Sequence, residues 1–204
     1  MSEAELITAF FTLFVVIDPI GLAPLFVALT QGTDAGHRRR LAARACLTAI
    51  AILTLFGLFG DAVLGFVGIS MPAFRIAGGL LLFLTALDML FDRRSKRRSD
   101  QAEEDRPDPS IFPLAIPLLA GPGAIATMIL LTHQTSDAAG VLAVHLVMAA
   151  VVGCAFALFL AAGLLERALG RTGINVVTRL LGMLLAALSV QFVLDGLRAF
   201  GIGA

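Results

Sequence analysis

Six apolar stretches alternate with short polar intervals along the 204-residue chain. They lie near 5–30, 41–66, 73–91, 111–133, 139–165 and 177–199, and several reach the roughly 17–25 residues that a helix needs to cross a bilayer. The pattern predicts an all-α polytopic membrane protein with six transmembrane helices. One long polar interval, Asp92–Pro109, divides three spans from three. It holds twelve of the thirty charged residues, of both signs, and two prolines. The organisation read from this is a first three-helix unit, 1–91, a charged linker, 92–109, and a second three-helix unit, 110–204, forming one integral membrane domain.

Two spans break the apolar pattern near their middles. The first contains Asp18, Pro19, Ile20, Gly21, Leu22, Ala23 and Pro24 in succession. A carboxylate in hydrocarbon costs at least about 2.5–3.5 kcal/mol, and each proline removes a helix hydrogen bond that lipid cannot replace. Backbone of this kind is tolerated where it is buried in protein or lines a polar cavity. The fourth span carries a matching break at Gly121, Pro122 and Gly123. Helices one and four are therefore expected to be broken at mid-membrane.

The halves resemble each other in order. Asp18-Pro19-Ile20-Gly21 corresponds to Gly121-Pro122-Gly123-Ala124. Arg75-Ile76-Ala77-Gly78 corresponds to Arg179-Leu180-Leu181-Gly182. Ten residues after each Arg stands a hydroxyl, Thr85 and Ser189, and each span then ends on an acid, Asp88 and Asp195. Three spans per unit is odd, so the second unit enters the membrane from the opposite side, giving two inverted repeats as in many secondary transporters.

Charge sets the expected orientation. Six spans put the 31–40 loop, the linker and the 166–176 loop on one side, which with nearby Arg44 and Arg179 holds thirteen of the fifteen basic residues; Arg75 and Arg198 fall on the other. The basic side is then cytoplasmic, and both termini are outside. The formal net charge is zero, which gives no bulk signal for nucleic acid. Trp and Tyr are absent, so Phe and Arg must anchor the helix ends. Cys46 and Cys154 read as small apolar residues rather than a disulfide or a metal pair.

A broken helix offers amide ends that favour an anion and carbonyl ends that favour an ammonium group or a small cation. Two facing breaks would hold both ends of an amino-acid zwitterion. The candidate substrate-binding residues are Asp18, Pro19, Ile20, Gly21, Pro24, Gly121, Pro122, Gly123, Ala124 and Thr127. Asp18 suits an amine, a cation or a transported proton; the bland alternative is a pair of packing kinks. Thr85, Asp88, Ser189 and Gln191 form a secondary set, each with an ordinary structural reading. His145 reads as a satisfied or lumen-facing histidine. The glycine pairs Gly57/Gly60, Gly65/Gly68 and Gly78/Gly79 permit close helix contacts within a protomer or between protomers, which leaves an oligomer open. No P-loop, paired-histidine metal motif or Gly-x-Ser-x-Gly elbow is present, so neither an enzyme nor a cofactor or metal site is expected.

At Ile17–Phe26, Pro113–Ile125 and Arg75–Gly79 the chain resembles the MarC family of bacterial and archaeal inner-membrane proteins, over nearly its whole length. That family is classed with neutral amino-acid transporters and is thought to be distantly similar to LysE-type exporters. The resemblance implies a secondary transporter in the inner membrane. Its substrates would be small neutral amino acids, of the glycine, alanine and serine class. Sodium and the proton are the candidate coupling ions, a choice the sequence leaves open. The rival readings are an exporter of LysE-like type, an ion channel or carrier, and a non-transporting membrane scaffold.

Overall fold

The computed structural model describes residues 2–91, 109–135 and 137–202. The charged linker lies outside the described residues except for Pro109. Among the described residues eight helical segments follow in order: α1 (Glu3–Ile17), α2 (Pro19–Leu29), α3 (Ala35–Val67), α4 (Met71–Leu90), α5 (Ser110–Leu119), α6 (Pro122–His133), α7 (Ala138–Leu160) and α8 (Ala162–Ala199). By length and composition five stretches can cross a membrane: 3–29, 35–67, 71–90, 138–160 and 172–199. The pair α5–α6, bent by 55°, makes a sixth when taken as one span.

Local chemistry sets the helix starts. Ser2 and Glu5 form a reciprocal capping box on α1. Asp34, Ser70 and Asp137 accept from the amides of His37, Ala73 and Gly140 at the starts of α3, α4 and α7. The apolar surface divides in two. Leu13, Leu22, Leu53, Leu82, Met128 and Phe159 are buried in one core. Phe11, Leu58, Phe59, Phe66 and Leu84 face outward, where lipid would cover them. Phe26 of α2 stacks on Phe159 of α7 with ring centroids 4.7 Å apart.

The interval 166–176, expected as a loop, is helical instead, with Gly170 alone non-helical at φ 60°. It contains no proline to break a helix, and the chain stays coiled and kinks at Gly170. The 31–40 loop is likewise shorter than expected, because α3 already begins at Ala35.

α4 and α8 run antiparallel and pack along most of their length. A side chain at Gly196 would meet Pro72 and Ile76; at Gly79 it would meet Ser189 and Val193; at Gly182 it would meet Ala86, Met89 and Leu90. Small residues here let the two backbones approach closely. Gly57 and Gly60 likewise admit His145, Met128 and Ile129 of the same chain, whereas Gly65 and Gly68 meet nothing.

Corresponding features recur at one constant interval along the chain. Pro19 and Pro122 each open a helix, Asp34 and Asp137 each cap one, and Gly79 and Gly182 make reciprocal contacts across the α4–α8 pair. The contacts between elements follow the same exchange. α2 packs on α7 and α8 while α6 packs on α3 and α4, and α1 packs on α7 while α5 packs on α3. The turns into α3 and α7 are also built alike. The Thr30 hydroxyl donates to the Phe26 carbonyl and Thr33 to Thr30; Thr132 donates to Met128 and Thr135 to Thr132.

Candidate functional site

Asp18 joins α1 to α2. Its backbone is left-handed, φ 54° and ψ 61°, a region that Asp visits more readily than most residues. It is fully buried. Its amide donates to the Phe14 carbonyl, closing α1. Its carboxylate Oδ1 accepts from the Gly21 amide at 3.1 Å, capping α2. Pro19 then occupies the first helical position, where its missing N–H costs nothing. Gly21 is glycine for a steric reason, since a side chain there would run into the Asp18 carboxylate. Pro19 is buried, and Ile20, Gly21 and Pro24 are half-buried. The charge that looked anomalous in the sequence thus serves its own helix.

The second interruption is built differently. α5 is wide-turned, with extended backbone at Phe112 and Ile116. The Ala120 amide donates to the Ala115 carbonyl at 2.8 Å. Gly121 lies so close to the Pro117 carbonyl that a side chain would collide with it. α6 then starts at Pro122 with Gly121 as its cap residue, and no side chain caps it. Its first amides, on Gly123 and Ala124, are therefore uncapped by any side chain, a positive helix end. Ala124 and Thr127 are buried, Gly121 and Gly123 half-buried, and Pro122 exposed. The Thr127 hydroxyl donates to the Gly123 carbonyl at 2.8 Å.

The two interruptions approach each other. A side chain added at Gly123 would lie 3.3 Å from Val16 Cγ1, two residues before Asp18, and 3.1 Å from Leu82 Cδ2 of α4. The secondary set is not gathered there by any of its described bonds. Thr85 donates to the Leu81 carbonyl and Ser189 to the Ala186 carbonyl, each within its own helix. Gln191 donates to Asp195, which also lies 3.7 Å from Arg198. Asp88 stands near the C-terminal end of α4, and Arg93 and Arg94, the neighbouring basic residues of the linker, lie outside the described residues.

His145, noted in the sequence, is joined by two features that were not singled out there. His145 Nδ1–H donates to the Val141 carbonyl at 2.7 Å, while its Nε2 is enclosed with no partner among the described residues. It is thus satisfied on one nitrogen and packed against Gly57 on the other. Asp61 Oδ1 lies 3.3 Å from His133 Nδ1 where α3 and α6 end. Thr12 of α1 is only 5 % exposed. Its spacing from Thr8 and Val16, one helical turn each way, was the available signal.

A cavity of about 230 Å³ opens between the start of α1 and the end of α6, lined by Ala4, Glu5, Thr8, Ala9, Leu131, Gln134 and Thr135. Cys46 and Cys154 are free, and no cluster of metal-ligating side chains occurs among the described residues.

Comparison with known proteins places these features in a wide group. A family model described as MarC family integral membrane protein matches residues 4–200. The chain is 36% identical over 201 residues to a UPF0056 membrane protein of Methanocaldococcus jannaschii, covering 97% of this chain and 98% of that one. It is 36% identical over 196 residues to the UPF0056 inner membrane protein YhgN of Escherichia coli, covering 95% and 96%. It is 35% identical over 203 residues to the UPF0056 membrane protein YvbG of Bacillus subtilis, covering 97% and 96%. No solved structure matches the chain.

Proposed function

The chain belongs to the MarC family of integral membrane proteins, and from that premise we propose that it is an inner-membrane secondary transporter of small neutral amino acids. The observation that carries this reading is the uncapped start of α6, which approaches α1 at Val16, two residues before Asp18. Gly123 and Ala124 amides suit a carboxylate. The C-terminal carbonyl ends of α1 and α5 carry partial negative charge and suit an ammonium group. In this reading Asp18 and Gly21 shape one wall of the site, and Gly121, Pro122, Gly123, Ala124 and Thr127 the other.

The two units act as inverted three-helix repeats. The constant interval between Pro19 and Pro122, Asp34 and Asp137, and Gly79 and Gly182 supports this, as does the exchange pattern of helix contacts. Rocking of one unit against the other opens the site to each face in turn. The basic ends face the cytoplasm and both termini face outward. Sodium or a proton drives the cycle.

The test is flux of radiolabelled glycine, alanine and serine into proteoliposomes, with sodium and proton gradients imposed separately. Saturable flux under one gradient is expected, abolished by Gly123→Leu. Absence of saturable flux for every small neutral amino acid refutes the proposal.

A further inference from the structure

Two buried side-chain atoms have no hydrogen-bond partner among the described residues, His145 Nε2 and Thr178 Oγ1. Of the two, only the histidine can change its charge. Its Nδ1 lies 2.7 Å from the Val141 carbonyl. A carbonyl only accepts, so the neutral ring carries its proton on Nδ1 and leaves Nε2 a bare lone pair. That lone pair faces Gly57 of α3. A Cβ built there would lie 2.8 Å from His145 Nε2 and 3.0 Å from Met128 Cε of α6. The glycine thus admits the imidazole where α3, α6 and α7 meet. A leucine on α7 would fill such a space without enclosing an unbonded acceptor.

Asp61 stands four residues beyond Gly57, on the same face of α3. Its Oδ1 lies 3.3 Å from His133 Nδ1 of α6, and both side chains are partly exposed. One face of the first unit therefore meets two histidines of the second. The helices packed around them carry few other charges. α7 has Asp137, bonded to the Gly140 amide. α1 has Glu3 and Glu5, the latter bonded to the Ser2 amide. α4 has Arg75, one turn before Gly78, which faces α6. α2 has none, and α8 follows α7 at the end far from His145. None of these groups shares a hydrogen bond or ion pair with either histidine among the described residues.

We propose that His145 Nε2 is a proton-binding site, and that a proton there parts α3 from α7. The proton adds to the lone pair, no bond breaks, and the ring becomes a cation with N–H on both nitrogens. The new N–H meets Gly57, which offers it no side-chain acceptor, and an enclosed, unpaired charge is costly. The contact opens until water reaches Nε2. Acid acts the other way one turn along α3. His133, once protonated, is drawn to the Asp61 carboxylate, so α3 stays pinned to α6 while it leaves α7. Histidine ordinarily changes its charge between about pH 8 and pH 5. The site does not rest on the transport reading. Joined to that reading, it makes the proton rather than sodium the driving ion.

Nuclear magnetic resonance of isotope-labelled histidine in detergent micelles tests the site. The three histidine signals are assigned by their loss in His37→Gln, His133→Gln and His145→Gln. His145 is expected to show a bare Nε2 at about pH 8 and a protonated one at about pH 5. Spin labels at Leu55→Cys of α3 and Leu146→Cys of α7, both outward-facing, report the parting, with Cys46 and Cys154 replaced by Ala. Their separation should lengthen at the lower pH, lengthen further in Asp61→Asn, and stay fixed in His145→Gln and His145→Leu. A His145 that keeps its bare Nε2 at the lower pH overturns the site. A separation that does not change with pH, or changes equally in His145→Leu, overturns the parting. Equal lengthening with and without Asp61→Asn overturns the pin. Amino-acid flux driven by a sodium gradient alone overturns the proton as driving ion and leaves the site standing.

Discussion

Replacing Asp18 in three ways separates its structural work from its charge. The residue caps α2 through its carboxylate and holds a left-handed backbone. Asp18→Ala removes both advantages. Loss of an N-cap costs about 1 kcal/mol, and placing a Cβ-bearing residue without a polar side chain in the left-handed region adds about 1 kcal/mol more. The sum, near 2 kcal/mol, corresponds to a fall of roughly 4–8 °C in unfolding midpoint for a chain of this size. Asp18→Gly should be nearly neutral, because glycine costs only a few tenths of a kcal/mol as a cap and is at ease at positive φ. Asp18→Asn keeps an acceptor oxygen and tolerates the same backbone, so it should unfold with the wild type or above it. The assay is thermal unfolding of purified protein in mild detergent, followed by circular dichroism. The expected order is Asn and Gly above Ala. Asp18→Ala unfolding within 1 °C of wild type would refute the capping argument. Flux measured on the same three proteins then isolates the charge: if Asn is stable but inactive, the carboxylate itself is needed.

Gly21→Ala should behave like Asp18→Ala in the same melt, because its methyl group displaces the capping carboxylate. Gly79→Ala and Gly182→Ala should each lose about 1–3 kcal/mol through overpacking of the α4–α8 contact. Gly153→Ala, which meets open space, should stay within about 0.5 kcal/mol of wild type; equal melts for all three would sink the packing argument. The His37 amide holds the exposed Asp34 carboxylate below its ordinary pKa. A depressed folded pKa means the cap is intact above the unfolded value, about 3.9, and is lost as pH falls through the lower folded value. The His37 amide resonance in detergent should accordingly move only in strongly acidic buffer, and a midpoint at or above pH 4 would contradict this.

The spans were legible because lipid-facing and core residues are both apolar, so long runs such as Ala138–Leu160 stand out whatever they touch. The ends were less legible. Nothing in the composition of 166–176 separates a basic loop from a basic helix, and only the geometry at Gly170 marks the kink. The paired interruptions were visible as Asp18-Pro19 and Gly121-Pro122, since proline at a first helical position follows a cap residue in both. The sequence match aligned Gly78 with Gly182, whereas the reciprocal contacts pair Gly79 with Gly182. A one-residue shift turns a helical face by about 100°, which a motif match does not register. Asp18 suggested a ligand for substrate, but a carboxylate three residues before a glycine amide is also a cap, and here it is one.

The two threonine–aspartate turns, before α3 and before α7, bear on how the chain is made. Each is assembled from the same bonds, and three span crossings separate them. A hairpin built this way reads alike to the insertion machinery from either side of the bilayer. Arg38, Arg39 and Arg40 follow the first turn, and no basic residue follows the second before α7 ends. By the positive-inside rule, arginines of this kind bias the side on which a turn stays, and transplanting those three to the second turn should set the halves competing for the same side during synthesis.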